Sequence, residues 1–291
     1  MSPFLMSIWW PISIGLLLNL AAALWAYRRG SVTRSGGIAG VLVGAGIFAG
    51  AGAFGWGLLM LFFLGSTALG KMKEARGLDL ERMHEKGDRR DAEQVLANAG
   101  IGLITSLLFG LTLWPGFLLA ASVSFASANA DTWASEIGVL SDRPPVSIRT
   151  GRAVPHGASG GVSLLGFAGS AVGAAVIGIY FVIAAPIRDI LPFGTFVSFL
   201  IILVGGLLGS VIDSLLGATL QAQYRDAETG GYTERASTGP GEGTAPGDSR
   251  PEGARANTLI RGFTRITNDT VNFLSCAGAT AASLVTAVSV M

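Results

Sequence analysis

The sequence predicts an all-α protein, a polytopic bundle of about seven to eight transmembrane or inserted segments with its N-terminus outside. Three observations lead there. Half of the residues (50%) are hydrophobic and only 13% are charged, where a soluble domain carries roughly 25% charged residues. Mean hydropathy is +0.55, and many apolar runs approach the ~20 residues that a spanning helix needs. Basic residues, finally, collect in alternate connecting segments. The reading is one transmembrane domain over 1–291, embedded in a lipid bilayer: the plasma membrane in a prokaryote.

The segments fall at about 8–27, 37–51, 54–70, 94–112, 116–136, 160–184, 195–222 and 269–290. In the first, no Lys or Arg precedes the apolar run, and Arg28 and Arg29 follow it. A secretory signal has the opposite order, so a retained helix is expected. The 37–70 stretch would be about 51 Å long as one helix, against a hydrocarbon core of about 30 Å. Gly50, Gly52, Gly55 and Gly57 mark a turn in its middle. A helical hairpin that returns to its starting side is the reading. With that parity, all of the 20 Lys and Arg except Arg188 lie on one side, the cytoplasmic side by the bias of basic residues. Glycines spaced by four (Gly40/Gly44, Gly46/Gly50, Gly169/Gly173) point to close helix packing. Residues 226–258 are rich in Gly, Pro, Ser, Thr and Glu, and read as a flexible cytoplasmic loop.

Several function classes are excluded. A net charge of +1 gives no signal for nucleic acid. One cysteine, Cys276, rules out disulfide frameworks and cysteine metal sites. His84 and His156 fall in loops and match no zinc spacing.

The chemistry is expected around Ser124–Glu136. An Asp at a membrane centre costs roughly 2.5–3.5 kcal/mol on insertion scales, and nothing nearby in the sequence offsets Asp131. Ser124, Ser127, Asp131 and Ser135 share one helical face, Asn129 and Glu136 another. On the expected topology, other helix ends bring polar groups to the same depth. Asp88, Arg89, Arg90 and Asp91 lead into the fourth segment, with Gln94 and Asn98 following. Ser159, Gly160, Gly161 and Ser163 open the sixth. Asp213 lies towards the inner end of the seventh. Asn268, Asp269 and Asn272 open the eighth. Asp and Asn are good helix caps, but capping does not explain Asp131 and Asp213, which approach C-terminal ends where the helix dipole disfavours anions.

Carboxylate and carboxamide oxygens bind Mg²⁺ together with phosphate and water. The metal candidates are Asp88, Asp91, Asp131, Glu136, Asp213 and Asp269, with Asp131, Asp213 and Asp269 also read as catalytic. Lys71, Lys73, Arg89 and Arg90 suit phosphates. Asn98, Ser163, Asn272 and the expected helix N-termini at Ser159–Gly161 and Asn268 add donors for anions. Two motif matches are set aside. Gly65–Met72 nearly spells a P-loop, but Met72 replaces the metal-binding hydroxyl. Gly50–Gly55 matches G-x-G-x-x-G, but lies in the hairpin turn.

These residues also carry a family likeness. Lys71-x-Lys73-x-x-x-Gly77, Gly87–Asn98, Ala130–Gly138, Ser159–Ser163, Gly209–Gln221 and Asn268-Asp-x-Val-Asn272 resemble an integral-membrane family long catalogued as a domain of unknown function. It includes the plant phytyl-phosphate kinase of tocopherol synthesis, and the likeness covers about residues 10–290. The family is also similar to the CTP-using membrane kinases of phytol and dolichol and to CDP-archaeol synthase. The sequence departs from it in two places: no cysteine stands in Gln223–Thr233, and Ala158 precedes Ser159 where Thr is frequent.

The resemblance implies a prenyl-phosphate kinase. It would move a phosphoryl group from a nucleoside triphosphate, CTP or ATP, to an isoprenyl monophosphate of phytyl or geranylgeranyl type. The product would be the diphosphate, with Mg²⁺ held by the carboxylates. A CTP-dependent lipid-phosphate cytidylyltransferase is the enzyme alternative. A secondary transporter or channel using the intramembrane carboxylates is the other. Oligomeric state, a homodimer included, is not read from the sequence.

Overall fold

The computed structural model describes residues 3–75, 89–186, 191, 194–238 and 255–290. Its helices are α1 (Pro3–Arg28), α2 (Arg34–Ala75), α3 (Ala92–Thr112), α4 (Pro115–Gly138), α5 (Leu164–Ala184), α6 (Gly194–Thr219) and α7 (Asn268–Val290). All but α4 are long and apolar enough to cross a membrane.

α4 is the centre of the bundle. It touches α2, α3, α5, α6 and α7, and Leu118–Ala130 is buried without a break. Its residues are largely Ala and Ser because neighbouring backbones come so close. Gly169 and Gly173 of α5 lie against the Trp133 and Asn129 carbonyls of α4, and Gly206 of α6 against the Ala126 carbonyl. A Cβ at any of these three would meet backbone at 3.0 Å or less. Small residues at such interfaces let helices pack where lipid supplies no hydrophobic drive. Asn129 reinforces the contact, its Nδ2 donating to the Gly173 carbonyl at 2.8 Å.

α2 is helical on both sides of Gly52, which has φ 61° and ψ −155°. The chain reverses there. Gly36 packs on the Arg90 carbonyl, and Arg90 Nη1 also donates to Thr67 Oγ1 at 3.0 Å. In a straight helix, residues 36 and 67 would be about 46 Å apart, beyond the reach of one arginine. At the tip, Gly55 lies against Ile47 and Ala51. The expected hairpin is therefore present, turning at one of the glycines read as its turn. Gly46 and Gly50 of its first arm run beside Leu103 and Ser106 of α3, so the hairpin reaches about as far as α3 does.

Three differences from the sequence reading bear on the site. α5 begins at Leu164 rather than near 160. Ser163 caps it, accepting from the Gly166 N–H at 3.0 Å. Gly161–Val162 is instead strand β2, antiparallel to β1 (Val146–Ser147). α6 stops at Thr219, before the expected 222.

The third difference lies in the stretch read as a flexible loop over 226–258. Residues 239–254 lie outside the described residues. The rest forms strands: β3 (Gln223–Arg225), β4 (Tyr232–Thr233), β5 (Ser237–Thr238), β6 (Arg255–Ala256) and β7 (Thr258–Arg261), with sheet orders β4-β3-β7 and β5-β6. The loop reading is corrected for these residues. Composition missed them because polar side chains, not an apolar face, hold them. Asp226 accepts from the Glu228 and Thr229 N–H groups and from Thr238 Oγ1, each at 2.8 Å. Asn257 Nδ2 donates to Thr238 Oγ1 and the Arg235 carbonyl.

Two predictions follow from this architecture. In a Cys276→Ser background, single cysteines at Ser35, Arg149 and Glu228 should label from one side of sealed vesicles. Thr112→Cys should label from the other. Ser35 and Arg149 labelling from opposite sides would break the topology. The second concerns pH. Burial pushes the Asp226 carboxyl up, but its hydrogen bonds outweigh that and leave it below the usual carboxylate range. A depressed folded-state pKa stabilises the fold above the unfolded value of about 3.9, and that stability is lost as pH falls through the folded value. Amide protection in 223–238 should thus be constant from neutral pH down to about 5 and fall only in stronger acid. Asp226→Asn should reduce protection at neutral pH.

Candidate functional site

α3, α5 and α7 begin at the end of the bundle where α4 and α6 finish. Between them opens a cavity of about 1190 Å³. Helix polarity sets its character. Three N-termini present partly positive N–H groups and two C-termini present carbonyls.

Most of the expected residues line this one space. α4 contributes Asp131 and Glu136, and α6 contributes Asp213. The segment before α5 contributes Ser159, Gly160, Gly161 and Ser163. Asn268, Asp269 and Asn272 come from the first turns of α7, and Arg90 and Asn98 from the start of α3. Asp131 and Asp213 line the same part of the cavity, and Asp131 lies close enough for its charge to act on Asp213. Asp213 accepts a hydrogen bond from Ser275 Oγ at 3.2 Å. Asp213 is 9% exposed, and Asp131 is half-buried.

Other expected residues take different places. Asp91 is the N-cap of α3: Oδ1 accepts from the Gln94 N–H at 2.9 Å, and the Asp91 N–H donates in return to Gln94 Oε1 at 3.0 Å. It also stands with Glu93 and Asp269 in a group whose carboxylate oxygens lie within 4.8 Å of one another and could hold a metal ion. An all-carboxylate oxygen set fits a hard divalent cation such as Mg²⁺. Asp269 belongs to both this group and the cavity wall. Arg89 turns away, donating to the Val32 carbonyl at 3.0 Å and lying over the Tyr27 ring. Lys71 is exposed on α2 and does not line the cavity. Asp88 and the Lys73 side chain lie outside the described residues. The turn at Ser159–Gly161 is not a helix N-terminus, and the Gly161 N–H is spent on the Ala158 carbonyl at 2.9 Å. The helix start here is that of α5, at Leu164, three residues further on.

Some cavity-side residues were not foreseen. His156, expected on a loop surface, lines the cavity, and so does Glu234. Glu234 Oε1 accepts from Ser159 Oγ at 2.7 Å and from Gln221 Nε2 at 2.8 Å. Arg261 donates to two nearby carbonyls. Burial and the charge of Arg149 lower its guanidinium pKa. Ser275 was legible, three residues after Asn272 on one helix face. Glu234 was not, lying in a stretch without periodicity.

The architecture is that of a multi-pass membrane protein with a carboxylate-lined chamber at one membrane face. Comparison with known sequences places it further. The family model described as Integral membrane protein DUF92 matches residues 17–280, and the chain belongs to that family. Protein PGR of Arabidopsis thaliana is 33% identical over 71% of this chain and 77% of its own length. An uncharacterized membrane protein of Methanocaldococcus jannaschii is 31% identical over 56% of this chain and 64% of its own. One of Synechocystis is 31% identical over 59% and 66%. No solved structure matches.

Arg90 joins the site to the fold. Besides Thr67 it lies over the Phe63 ring at 5.5 Å, and its backbone bonds the Ser31 carbonyl and the Thr33 N–H. Arg90→Lys keeps the charge but loses the planar stack and fork. It should cost about 1 kcal/mol, read as a lower Tm in detergent. An unchanged Tm would show that the side chain does not brace the hairpin.

Proposed function

We propose that the chain is a membrane kinase that transfers a phosphoryl group from a nucleoside triphosphate to an isoprenyl monophosphate, giving the prenyl diphosphate. The observation that carries this is the make-up of the cavity wall. Carboxylates and three helix N-termini face one space, and Leu164, Leu165, Phe167 and Val211 continue its wall as residues exposed on the bundle's exterior. A polar chamber that merges with a lipid-facing wall suits an amphiphile with an anionic head. The family membership and the resemblance to prenyl-phosphate kinases agree with it.

Asp131, Asp213 and Asp269 would hold Mg²⁺, with Glu136 on the same cavity wall, while Asp269 also stands in the separate group with Asp91 and Glu93 whose carboxylate oxygens lie within 4.8 Å of one another. When bound, the ion would neutralise charge on the transferring phosphoryl group. The N–H groups at the starts of α5 and α7 would take up phosphate oxygens, with Ser163, Asn268 and Asn272 adding side-chain donors and Arg90 a fixed positive charge. An oxygen of the prenyl monophosphate forms the new bond to the γ-phosphorus as the bond to the β-phosphate oxygen breaks. The nucleoside diphosphate leaves with that electron pair. The attacking oxygen is already anionic, so no general base is required, and alignment and charge stabilisation carry the catalysis.

The test is steady-state turnover of phytyl and geranylgeranyl phosphate in nanodiscs with each nucleoside triphosphate and Mg²⁺, reading nucleoside diphosphate and pyrophosphate separately. Asp131→Asn, Asp213→Asn and Asp269→Asn should each lower turnover at least about 100-fold, ~2.7 kcal/mol of transition-state stabilisation, with Tm little changed. Raised Mg²⁺ or Mn²⁺ should restore part of it. Lys71→Met, away from the cavity, should stay within about twofold of the parent. Near-normal turnover in all three Asp variants would reject the metal site. Pyrophosphate release would instead identify a cytidylyltransferase. Ion flux without nucleotide would identify a transporter.

A further inference from the structure

The segment between α6 and α7 grips the turn before α5 at two points. Glu234 Oε1 holds the Ser159 hydroxyl at 2.7 Å. Arg261 Nη2 holds the Ser159 carbonyl at 3.1 Å and, at 2.8 Å, the carbonyl of Gly217 near the end of α6. One residue is thus fixed through both its side chain and its backbone by partners 75 and 102 positions further along the chain. The second donor to Glu234, Gln221 Nε2 at 2.8 Å, comes from a side chain that is 2% exposed. Gly160, at φ +76°, is pressed against Ala218 so closely that a Cβ there would meet its backbone at 2.6 Å. The turn can therefore shift little towards α6, and Glu234 and Arg261 stop it lifting away. From Ser159 the chain runs through β2, where Gly161 pairs with Ser147 of β1, to Ser163, the N-cap of α5.

We infer that Glu234 and Arg261 are positioning residues that set the Gly157–Ser163 turn, and with it the N-terminus of α5, against the phosphate of the substrate. This rests on the phosphate-binding role given above to the start of α5. It makes the β-stranded segment a working part of the site rather than a connection. Hydrogen bonds to an ionised acceptor are shorter and stronger than neutral ones, which suits a carboxylate that holds two donors on one oxygen. Glu234 acts through the turn it holds and not on the reacting atoms, so an amide oxygen in the same place should largely replace it.

Glu234→Gln and Glu234→Ala, made in the full chain in nanodiscs, separate these roles. With geranylgeranyl phosphate, Mg²⁺ and the preferred nucleotide, Glu234→Gln should stay within about threefold of the parent. Glu234→Ala should raise KM for the prenyl phosphate about tenfold, with kcat changed less than about threefold. Ser159→Ala combined with Glu234→Ala should be no worse than Glu234→Ala alone, because the two act as one unit. Hydrogen exchange across 157–166 should quicken in Glu234→Ala and Ser159→Ala and stay at the parent rate in Glu234→Gln. If kcat collapses equally in Gln and Ala variants, Glu234 acts by its charge and the inference is overturned. Unchanged exchange in Glu234→Ala overturns it as well. Should the parent turn over no prenyl phosphate, the function proposed above fails, and the exchange data still decide whether the clamp exists. Should Glu234→Ala not fold, Ser159→Ala and Glu234→Gln decide by the same exchange measurement.

Discussion

The structure depends on keeping α4 out of lipid. Its polar residues, Ser122, Ser124, Ser127 and Asn129, are buried, and Asp131 follows them on the same helix. In hydrocarbon, unsatisfied polar groups cost several kcal/mol each. Here helices replace lipid on every side of α4. Glycines of α5 and α6 allow backbone contact, and Ala fills what remains. The polar surface of α4 thus faces protein, and its inner end faces the cavity. That enclosure lets a helix of modest hydropathy cross a membrane and carry a carboxylate with it.

The same enclosure fixes the cavity. α5 and α6 pack tightly where Gly206 meets Ala174, and the chamber lies below that contact, towards the ends of α4 and α6. Arg90 then ties the rim on the other side. One arginine holds the start of α2, the end of its hairpin and the entry to α3. The chamber's walls are therefore set by packing deep in the bundle and by few side chains at its mouth.

Much of this was legible from the sequence because a membrane turns simple chemistry into position. Apolar runs gave the segments, the length and glycines of 37–70 gave the hairpin, and the basic residues agreed with its parity. The glycine cluster at Gly50–Gly57 located its turn to within a few residues. Asp131 and Asp213 stood out as carboxylates where carboxylates are costly. What escaped had no such signal. The strands of 223–261 are two to four residues long and held by Asp226, Thr238 and Asn257, so no alternation of apolar residues announces them. Glu234 reaches Ser159 across 75 positions of sequence, a pairing that no local pattern encodes. Ser159–Gly161 looked like a helix start because Ser and Gly favour both caps and turns. Only the strand pairing of Gly161 with Ser147 separates the two.

On the proposed function, the arrangement of helix ends would let carboxylates and a phosphate site share one chamber. An anion alone would be repelled by Asp131, Asp213, Glu136 and Asp269. A cation alone would face the positive ends of α3, α5 and α7. A divalent cation joined to phosphate satisfies both. The carboxylates, with the carbonyl ends of α4 and α6, favour the metal, and the N–H ends of the other three helices favour the phosphate oxygens. Helices that alternate in direction through a membrane necessarily bring both kinds of end to one face. Carboxylates near the C-terminal ends of α4 and α6 raise the negative potential where it is already negative. That placement has no structural merit by itself, since the dipole opposes it. On the proposed function a metal ion between the two sets of ends would offset that cost, so the costliest residues in the bundle are the ones on which the proposal most depends.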